Sequence, residues 1–341
     1  MRYFYLIGMM LCFVMSGAVF AKDWEEQHLF QAPNHTLTLR VLSSTDTSLF
    51  APIIDQFVQQ NPNISVEYLV TGTVDLYDTF RQNASDFDVV ISSAMDLQLK
   101  LTNDGHALKI SGVSHPDWAQ WGQGLFAFTA EPAAIVINRA AFAGRRKPQT
   151  RQDLILALRA RPEVFRGKIG TYDVRASGLG YLFATQDARA SETYWRLMEV
   201  MGSLDAQLYC CSGEMLDDVA NGTLAIAYNV LGSYAHARPD ALKKIEVIFP
   251  SDFPTTMMRT VFVPKETSQR SAAVSFLKHL ILPSTDVSDL GLFRVPFLTS
   301  EPNDMGQSMI ALEPALLTYL DVLKRRKFIQ AWEDAIIQPS F

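Results

Sequence analysis

Residues 170–182 combine residue types that favour the binding of an anion. The stretch begins at the end of a predicted short strand, residues 168–171, passes through a polar turn, and starts a helix at Ser177 or Gly178. Ser177 is a favourable N-cap residue, and the glycines allow the backbone to approach a bound molecule closely. The first turn of a helix presents free N–H groups and the positive end of the helix dipole, and Arg175 adds guanidinium donors. Taken alone, the stretch fits an ordinary capped helix on a sheet better than a binding site.

Hydroxyl-bearing loops follow the strands that we predict in the first part of the chain. These strands are residues 36–42, 64–70 and 88–91, and each leads through a short loop into a predicted helix. A repeated strand–loop–helix order predicts an open parallel α/β sheet, and such sheets bind ligands at the carboxyl ends of their strands. The loop residues at these ends with a hydroxyl group or a carboxylate are Ser43, Ser44, Thr45, Asp46, Thr71, Thr73, Ser92 and Ser93.

The length and charge of the chain limit the classes of protein to which it can belong. At 341 residues with 48% hydrophobic content, it can bury one large core or two of medium size, which favours two lobes. Its formal net charge is −6 and its pI is about 5.6. These values argue against nucleic acid as a partner.

Residues 1–21 have the organisation of a secretory signal peptide. Arg2 supplies the positive start, residues 4–15 supply an apolar run, and residues 19–21 supply a cleavage pattern of small residues. The apolar run is shorter than a membrane-spanning helix requires. We therefore expect an exported protein that resides in the periplasm.

Two cysteines, Cys210 and Cys211, follow the signal segment and are adjacent in sequence. In an oxidising compartment paired thiols tend to form a disulfide, whereas neighbouring Cα atoms lie closer than a relaxed disulfide prefers. A vicinal disulfide and a pair of small apolar thiols at a strand end are therefore both open. Because no histidine stands at ligand spacing from the pair, we expect no metal site here.

Further candidates for ligand contact each have a structural alternative. Glu131 is either a buried acceptor for ligand hydroxyls or a surface residue where strands cross. Arg175 either pairs with an anion or lies in solvent, and Asp46 either contacts a ligand or caps a helix. Three tyrosines either stack on a solute or pack in the core: Tyr181, Tyr228 and Tyr234.

No arrangement of residues in the sequence predicts catalysis or a bound cofactor. The six histidines are scattered without an HExxH motif, which gives no support to a zinc enzyme. Residues 275–278 match the SxxK pattern of penicillin-interacting enzymes, but the accompanying Ser-Asp-Asn and Lys-Thr-Gly motifs are missing from the sequence. We therefore predict a binding protein without a metal, a cofactor or an enzymatic activity.

Four short segments of the chain carry a resemblance to a known family: residues 88–93, 131–138, 176–181 and 227–229. Together with the order of the predicted elements, they resemble the type II periplasmic solute-binding proteins of ABC transporters. The resemblance is stronger to the branch of that family that includes ferric-ion and phosphosugar binders. It covers nearly all of the chain after the signal segment.

The resemblance implies an α/β fold of two Rossmann-like lobes joined by hinge strands, which close on a solute like jaws. Lobe 1 would contain residues 36–131 plus 263–341, and lobe 2 residues 132–262. The hinge strands would lie near residues 128–137 and 255–263. The residues that the resemblance places in the cleft are Ser44, Thr45, Ser92 and Ser93 from lobe 1, and Ser177, Gly178, Tyr228 and Asn229 from lobe 2.

One departure from the family pattern concerns iron. Ferric-ion binders of this family carry adjacent tyrosines a few residues beyond the position of Tyr228, because phenolates are hard ligands for ferric ion. Here residues 228–234 contain no such pair. We therefore predict a monomer that captures a small anionic organic solute, phosphorylated or carboxylated, for an ABC permease. The alternatives are a ligand-sensing accessory of a membrane histidine kinase, a ferric-ion binder, and a periplasmic enzyme on the same scaffold.

Overall fold

The structure is a computed structural model that describes residues 24–281 and 309–338. The predicted signal peptide, residues 1–21, lies outside the described residues. Within the described part, the chain forms two mixed β-sheets with helices packed around them, which is the predicted α/β class. No helix in residues 24–281 or 309–338 has both the length and the apolar character needed to cross a bilayer.

Lobe 1 is built on the first sheet. In spatial order, its strands are β1 (Glu26–Phe30), β3 (Ile64–Val70), β2 (Leu37–Ser43), β4 (Val89–Ser92), β13 (Thr260–Phe262), β6 (Leu125–Ala127) and β5 (Gln120–Trp121). Its helices are α1 (Thr47–Gln60), α2 (Thr73–Gln82), α3 (Met95–Asn103) and α11 (Arg270–Ile281). The strands β3, β2 and β4 run parallel, as the strand–loop–helix order predicts, and β1 adds an antiparallel edge to β3.

Lobe 2 is built on the second sheet. In spatial order, its strands are β11 (Ile245–Ile248), β7 (Glu131–Asn138), β10 (Ile226–Leu231), β8 (Ile169–Tyr172) and β9 (Gln207–Tyr209), with β12 (Thr256–Met257) paired to β7. The helices that follow β7 in the chain are α4 (Arg151–Ala160), α5 (Pro162–Phe165), α6 (Gly178–Ala190), α7 (Thr193–Ser203), α8 (Ser212–Asn221), α9 (Gly232–His236) and α10 (Pro239–Leu242). The strands β10, β8 and β9 run parallel, so their carboxyl ends share one edge.

The first helix shows how the sequence produces these elements. Leu49, Ile53 and Phe57 stand four residues apart and are buried against the sheet, which stabilises α1 through its apolar face. The side-chain amide of Asn61 donates to the Phe57 carbonyl oxygen at 2.9 Å and satisfies one of the last carbonyl groups. Pro62 follows, and it disfavours a helical conformation for the residue before it.

The chain crosses between the two sheets through residues 128–130 and again through residues 258–259. The two crossings are hydrogen-bonded to each other, since the Phe128 N–H donates to the Arg259 carbonyl oxygen at 3.0 Å. The Arg259 N–H in turn donates to the Thr129 hydroxyl at 2.9 Å. These two hydrogen-bonded crossings lie within the ranges that the resemblance predicts for the hinge.

Two elements lie in a different lobe from the one that the predicted boundaries assign. The strand β13 pairs with β4 and β6 of lobe 1, although it falls within the segment predicted for lobe 2. The last helix, α12 (Val322–Ile336), packs on α7 of lobe 2, where Phe328 and Trp332 share a buried cluster with Leu197. We therefore propose that lobe 2 consists of the segment between the two crossings together with α12.

Candidate ligand-binding cleft

The carboxyl ends of six strands, β2, β3, β4, β8, β9 and β10, meet at a cleft between the lobes. This is the edge at which parallel sheets present their loops to ligands. The lining is rich in hydroxyl groups because loops and helix starts at this edge carry Ser, Thr and Tyr. The hydroxyl-bearing lining residues are Ser44, Thr71, Thr73, Ser93, Tyr172, Ser177, Ser212 and Tyr234.

Four helices begin at the cleft. Asp46, Thr73, Ser177 and Ser212 are lining residues at the N-termini of α1, α2, α6 and α8, each of which is ten residues or longer. The first turn of each helix offers N–H groups that lack intrahelical partners, and the helix dipoles direct their positive ends to the cleft. This arrangement suits a negatively charged group of a ligand.

Ser177 caps α6 as the sequence predicts. Its backbone is extended and its hydroxyl oxygen accepts a hydrogen bond from the Gly180 N–H at 3.1 Å. Helix α8 begins at Ser212, and Cys211 occupies its N-cap position without a side-chain capping bond. The Ser212 hydroxyl instead shares a hydrogen bond of 2.5 Å with the Tyr172 phenol inside the cleft wall.

Two hydrogen bonds between described residues join the lobes across the cleft. The Gly178 N–H of lobe 2 donates to the Thr73 hydroxyl of lobe 1 at 2.7 Å. The Tyr234 phenol of lobe 2 donates to Asp46 Oδ1 of lobe 1 at 3.0 Å. Asp46 stands at the N-cap position of α1 without a side-chain capping bond, so its carboxylate serves this contact instead. The lobes are therefore in a closed arrangement.

The charged groups of the cleft wall are carboxylates. Among the lining residues that the structure describes, Glu25 and Asp46 are ionisable acids, and there is no lysine, arginine or histidine. Partial burial raises the pKa of Glu25, and the nearby carboxylates of Asp75 and Asp46 raise it further. An anionic group in this cleft would therefore be held by N–H and hydroxyl donors, while the two carboxylates accept hydrogen bonds from other groups of the solute.

Ser44 and Ser93 line the cleft at neighbouring strand ends, as the sequence predicts for their loops. The Ser93 N–H donates to the Ser44 hydroxyl oxygen at 3.2 Å, which ties the two loops together. Ser92 lies outside the described lining, where its hydroxyl oxygen accepts from the Ala94 N–H at 3.2 Å. Ser92 therefore lies behind the residues that line the cleft, and its hydroxyl oxygen accepts a hydrogen bond from the Ser44 hydroxyl at 3.4 Å.

Thr45 and Glu131 belong to a buried network at the hinge and do not line the cleft among the described residues. Arg259 donates to both carboxylate oxygens of Glu131 at 3.0 and 2.9 Å and also donates to the Thr45 hydroxyl. Ser233 of lobe 2 donates to Glu131 at 2.5 Å. Arg259 and Glu131 are fully buried, so this network fixes the hinge and leaves Glu131 no free acceptor for a solute.

Tyr228 and Asn229, which the resemblance places in the cleft, are not among the described residues that line it. Both side chains donate to the Asp187 carboxylate, at 2.7 and 2.9 Å, inside lobe 2. The Arg151 guanidinium donates to the Tyr228 oxygen at 2.6 Å and completes this buried cluster. Asn229 has a φ of 63° at a bulge between β10 and β7, which the residue order of a strand does not reveal.

Arg175 and Tyr181 also lie away from the described lining of the cleft. Arg175 pairs with Asp173 at 2.6 Å and with Glu333 of α12 at 3.1 Å, so its donors are engaged on the surface. The Tyr181 phenol donates to the Tyr319 carbonyl oxygen at 2.6 Å. The ring of Tyr181 packs edge-on against Phe328. Both residues therefore help to attach the C-terminal part of the chain to lobe 2.

The cleft also contains residues that sequence reasoning missed as contacts. Glu25 precedes β1 in a segment without apolar alternation, so the sequence does not predict a strand there. The pairing of β1 with β3 brings Glu25 to the cleft. Tyr172 is the last residue of β8, one position beyond the predicted strand. Thr71 and Thr73, by contrast, belong to the hydroxyl-bearing loop that the sequence predicts at the end of β3, and both line the cleft.

Cys210 and Cys211 are joined by a disulfide and both line the cleft. This is the first of the two alternatives left open by the sequence. The disulfide lies between the end of β9 and the start of α8, on the wall that lobe 2 contributes.

In residues 24–281 and 309–338, no group of three or more His, Cys, Asp and Glu side chains is placed to hold a metal ion. Two tyrosines, Tyr172 and Tyr234, line the cleft beside the acids. Burial raises the pKa of both phenols, which opposes the phenolate form that ferric ion prefers.

Two α/β lobes that contact each other across a cleft at their strand ends have the fold of the type II periplasmic binding proteins, as the resemblance predicts. The chain belongs to the family of bacterial extracellular solute-binding proteins, which it matches over residues 43–286. It is an extracellular solute-binding protein of the ABC transporter type. No curated protein matches it by sequence.

Solved structures share this architecture. The substrate-binding protein of an ABC transporter from Agrobacterium tumefaciens superposes with a TM-score of 0.85 at 28% identity, over 91% of this chain and 98% of that one. AfuA from Actinobacillus pleuropneumoniae, with fructose-6-phosphate bound, superposes with a TM-score of 0.72 at 14% identity, over 89% and 99%. Iron-bound HitA from Pseudomonas aeruginosa gives 0.64 at 14%, over 88% and 99%. At 14% identity the likeness shows the fold alone.

Proposed function

We propose that this protein captures a small organic anion, phosphorylated or carboxylated, that also carries hydroxyl or other donor groups, and delivers it to an ABC permease. The convergence of four helix N-termini on the cleft carries the proposal. An anion at one helix N-terminus is stabilised by about 0.3–1 kcal/mol at an exposed site and by up to about 2 kcal/mol when partly buried. Several such ends around one anionic group act together without a basic side chain.

The carboxylates of the cleft determine what else the solute must carry. Inorganic phosphate can offer Glu25 and Asp46 only its P–OH groups, and an anion without protons can offer them no hydrogen bond. A solute with hydroxyl groups donates to these carboxylates, and such bonds to ionised acceptors are stronger than neutral ones. The cleft therefore supports an organic ester or acid with several donors better than free phosphate.

Closure of the lobes would couple capture to delivery. A solute stabilises the closed arrangement only as far as it contacts both lobes, because a ligand shifts an equilibrium by its differential affinity. Here Ser44 and Thr73 belong to one lobe, and Ser177 and Tyr172 to the other, and all four face the same cleft. The permease would then recognise the closed form. No step of this cycle requires a chemical change in the solute.

A thermal-shift panel tests the proposal directly. The purified protein is heated alone and with glycerol 3-phosphate, glycerol, inorganic phosphate, malate or ferric citrate. A ligand that binds only the folded protein stabilises it by about 2.7 kcal/mol at a hundredfold excess over Kd. We expect glycerol 3-phosphate or malate to raise Tm and glycerol to leave it unchanged. A shift with glycerol alone, or with ferric citrate alone, would contradict the proposal.

A further inference from the structure

The proposed function leaves the role of the Cys210–Cys211 disulfide unexplained. Both cysteines line the cleft, the side chain of Cys210 is exposed, and Cys211 is partly buried. A disulfide between adjacent residues encloses no length of chain, so it cannot stabilise the fold by restricting a long loop. Its effect must be local to the wall that it forms.

The chain is anchored on both sides of the pair. On one side, the Tyr209 phenol donates to Asp218 at 2.6 Å, and the Tyr209 carbonyl oxygen accepts from the Asp173 N–H at 2.8 Å. On the other side, the Ser212 hydroxyl is bonded to the Tyr172 phenol and accepts from the Leu231 N–H at 3.4 Å. The link between these two anchors is the disulfide-bonded dipeptide.

The same wall meets lobe 1 when the lobes are closed. Gly213 lies in the first turn of α8, and a Cβ placed on it would lie 3.4 Å from Asp46 Oδ2 and 3.0 Å from the Arg238 guanidinium. Asp46 is also the acceptor for Tyr234 in the contact between the lobes. A displacement of the residues before α8 would therefore act on the closing contact as well as on the cleft surface.

Reduction must move at least one of the sulfur atoms. Bonded sulfurs lie about 2.0 Å apart, whereas non-bonded heavy atoms stay about 3.5–4.0 Å apart. The two thiols therefore separate by more than about 1 Å, either into the cleft or away from it. The two side chains and the peptide between them also regain torsional freedom, which binding would have to remove again.

We propose that the Cys210–Cys211 pair makes solute capture dependent on redox state: the oxidised wall binds the solute of the proposed function, and the reduced wall binds it weakly. The reductant is a dithiol. One thiolate attacks the exposed Cys210 sulfur, the S–S bond breaks, and the mixed disulfide is resolved by the second thiol of the reductant. Two electrons and two protons pass to the cysteines, and the reductant becomes a disulfide.

This dependence suits an extracellular protein. Disulfides form and persist in oxidising compartments outside the cytosol. A chain that is still in a reducing compartment would carry two thiols and a loosened wall, and it would gain its binding-competent cleft once the pair oxidises. Solute capture would then be confined to the compartment in which delivery to a permease takes place.

Calorimetric titration with glycerol 3-phosphate tests the proposal on oxidised protein, on protein reduced with excess dithiothreitol, and on the double variant Cys210→Ser/Cys211→Ser. We expect Kd to rise at least about fivefold on reduction. This is the rise that follows if the fraction of protein in the binding-competent state falls to about a fifth. The double variant should bind weakly with or without reductant. Equal Kd values for oxidised and reduced protein, or a double variant that binds as tightly as oxidised protein, would overturn the proposal.

A measurement without ligand tests the redox-sensitive wall even where the proposed function fails. Hydrogen exchange is followed at residues 210–214 in the oxidised and the reduced protein. We expect faster exchange at these residues on reduction and no change in β2, which belongs to the other lobe. If the exchange at residues 210–214 does not change, the redox proposal is wrong. If oxidised protein binds no probe but exchange does respond, the ligand class is wrong and the redox-sensitive wall stands.

Discussion

The contact between Gly178 and lobe 1 predicts that Gly178→Ala weakens solute binding without weakening the fold. A Cβ on Gly178 would lie 3.0 Å from Leu97 Cδ1, 3.0 Å from Thr73 Oγ1 and 3.2 Å from Ala94 Cβ, all in lobe 1. Comfortable contacts are about 3.5–4.0 Å, so the lobes could close fully only if these atoms moved by a few tenths of an ångström. The clash exists only in the closed arrangement.

The expected loss follows from the same distances. Overpacking by one methyl group costs about 1–3 kcal/mol in a rigid environment. Leu97 and Thr73 present the ends of side chains that can rotate, so we expect about 1–2 kcal/mol, which raises Kd about 5- to 30-fold. Because Gly178 is the first residue of α6 and alanine is a better helix former than glycine, Tm of the solute-free protein should stay constant or rise.

The assay is calorimetric titration combined with thermal unfolding, and Gly180→Ala is the matched control. A Cβ on Gly180 would overlap Tyr172, which belongs to the same lobe, so this variant should lose thermal stability in the absence of solute. If Gly178→Ala bound as tightly as the wild type, the closed contact would have no part in binding. If Gly178→Ala lowered the Tm of the solute-free protein as Gly180→Ala does, the clash would lie within one lobe and not between the lobes, and the reasoning would be refuted.

Three further predictions concern stability. Arg259→Met leaves the Glu131 carboxylate buried without its partner and should lower the free energy of unfolding in urea by about 3–5 kcal/mol. The added substitution Glu131→Gln should restore most of this stability, and no recovery would contradict the ion-pair account. Burial raises the pKa of Asp96 from 3.8 to about 7, so the folded state retains a proton that the unfolded state loses, and stability should fall by up to about 1.4 kcal/mol per pH unit between about pH 4 and pH 7. Asp96→Asn should flatten that dependence, and an unchanged pH profile would refute it. Gly202→Ala places a Cβ 2.5 Å from the Ala335 carbonyl oxygen, so it should lower the free energy of unfolding by about 1–3 kcal/mol and make α12 accessible to proteases. If α12 of this variant resisted proteolysis, the result would count against its assignment to lobe 2.

The sequence predicts well those features that depend on local pattern. The strand at residues 64–70 has the same bounds in the structure, and the capping of α6 by Ser177 is confirmed. The loops that hold Ser44 and Ser93 reach the cleft because strand ends share one edge of a parallel sheet. Such inferences need only the residue order and the direction of the strands.

Features that depend on distant partners could not be predicted. Glu131 is paired with Arg259, which lies 128 positions along the chain, so the sequence cannot show that its carboxylate is engaged. The Tyr228 side chain projects from the face of β10 that is turned toward Asp187, within lobe 2. Asn229 is the next residue and lies at the bulge between β10 and β7. The packing of α12 on α7 likewise depends on contacts across more than a hundred residues.

Arg175 has an ion-pair partner that the sequence itself could have indicated. Asp173 stands two positions before it, and the two side chains form a 2.6 Å ion pair within the turn. An arginine with an acid so near in sequence has a local partner before any ligand arrives. The same segment still contributes to the cleft through Ser177, whose position depends on the helix start rather than on the arginine.

The central claim is that helix N-termini hold an anion in the cleft, and a charge exchange at Ser177 tests it most directly. Aspartate and asparagine both cap helices and have nearly the same shape, so Ser177→Asp and Ser177→Asn differ chiefly in one negative charge at the N-terminus of α6. We would titrate glycerol 3-phosphate and malate into both variants. We predict that Ser177→Asp binds the better of these anions at least about tenfold more weakly than Ser177→Asn, a difference of about 1.4 kcal/mol. Equal affinities in the two variants would contradict the claim that this helix end holds the anionic group.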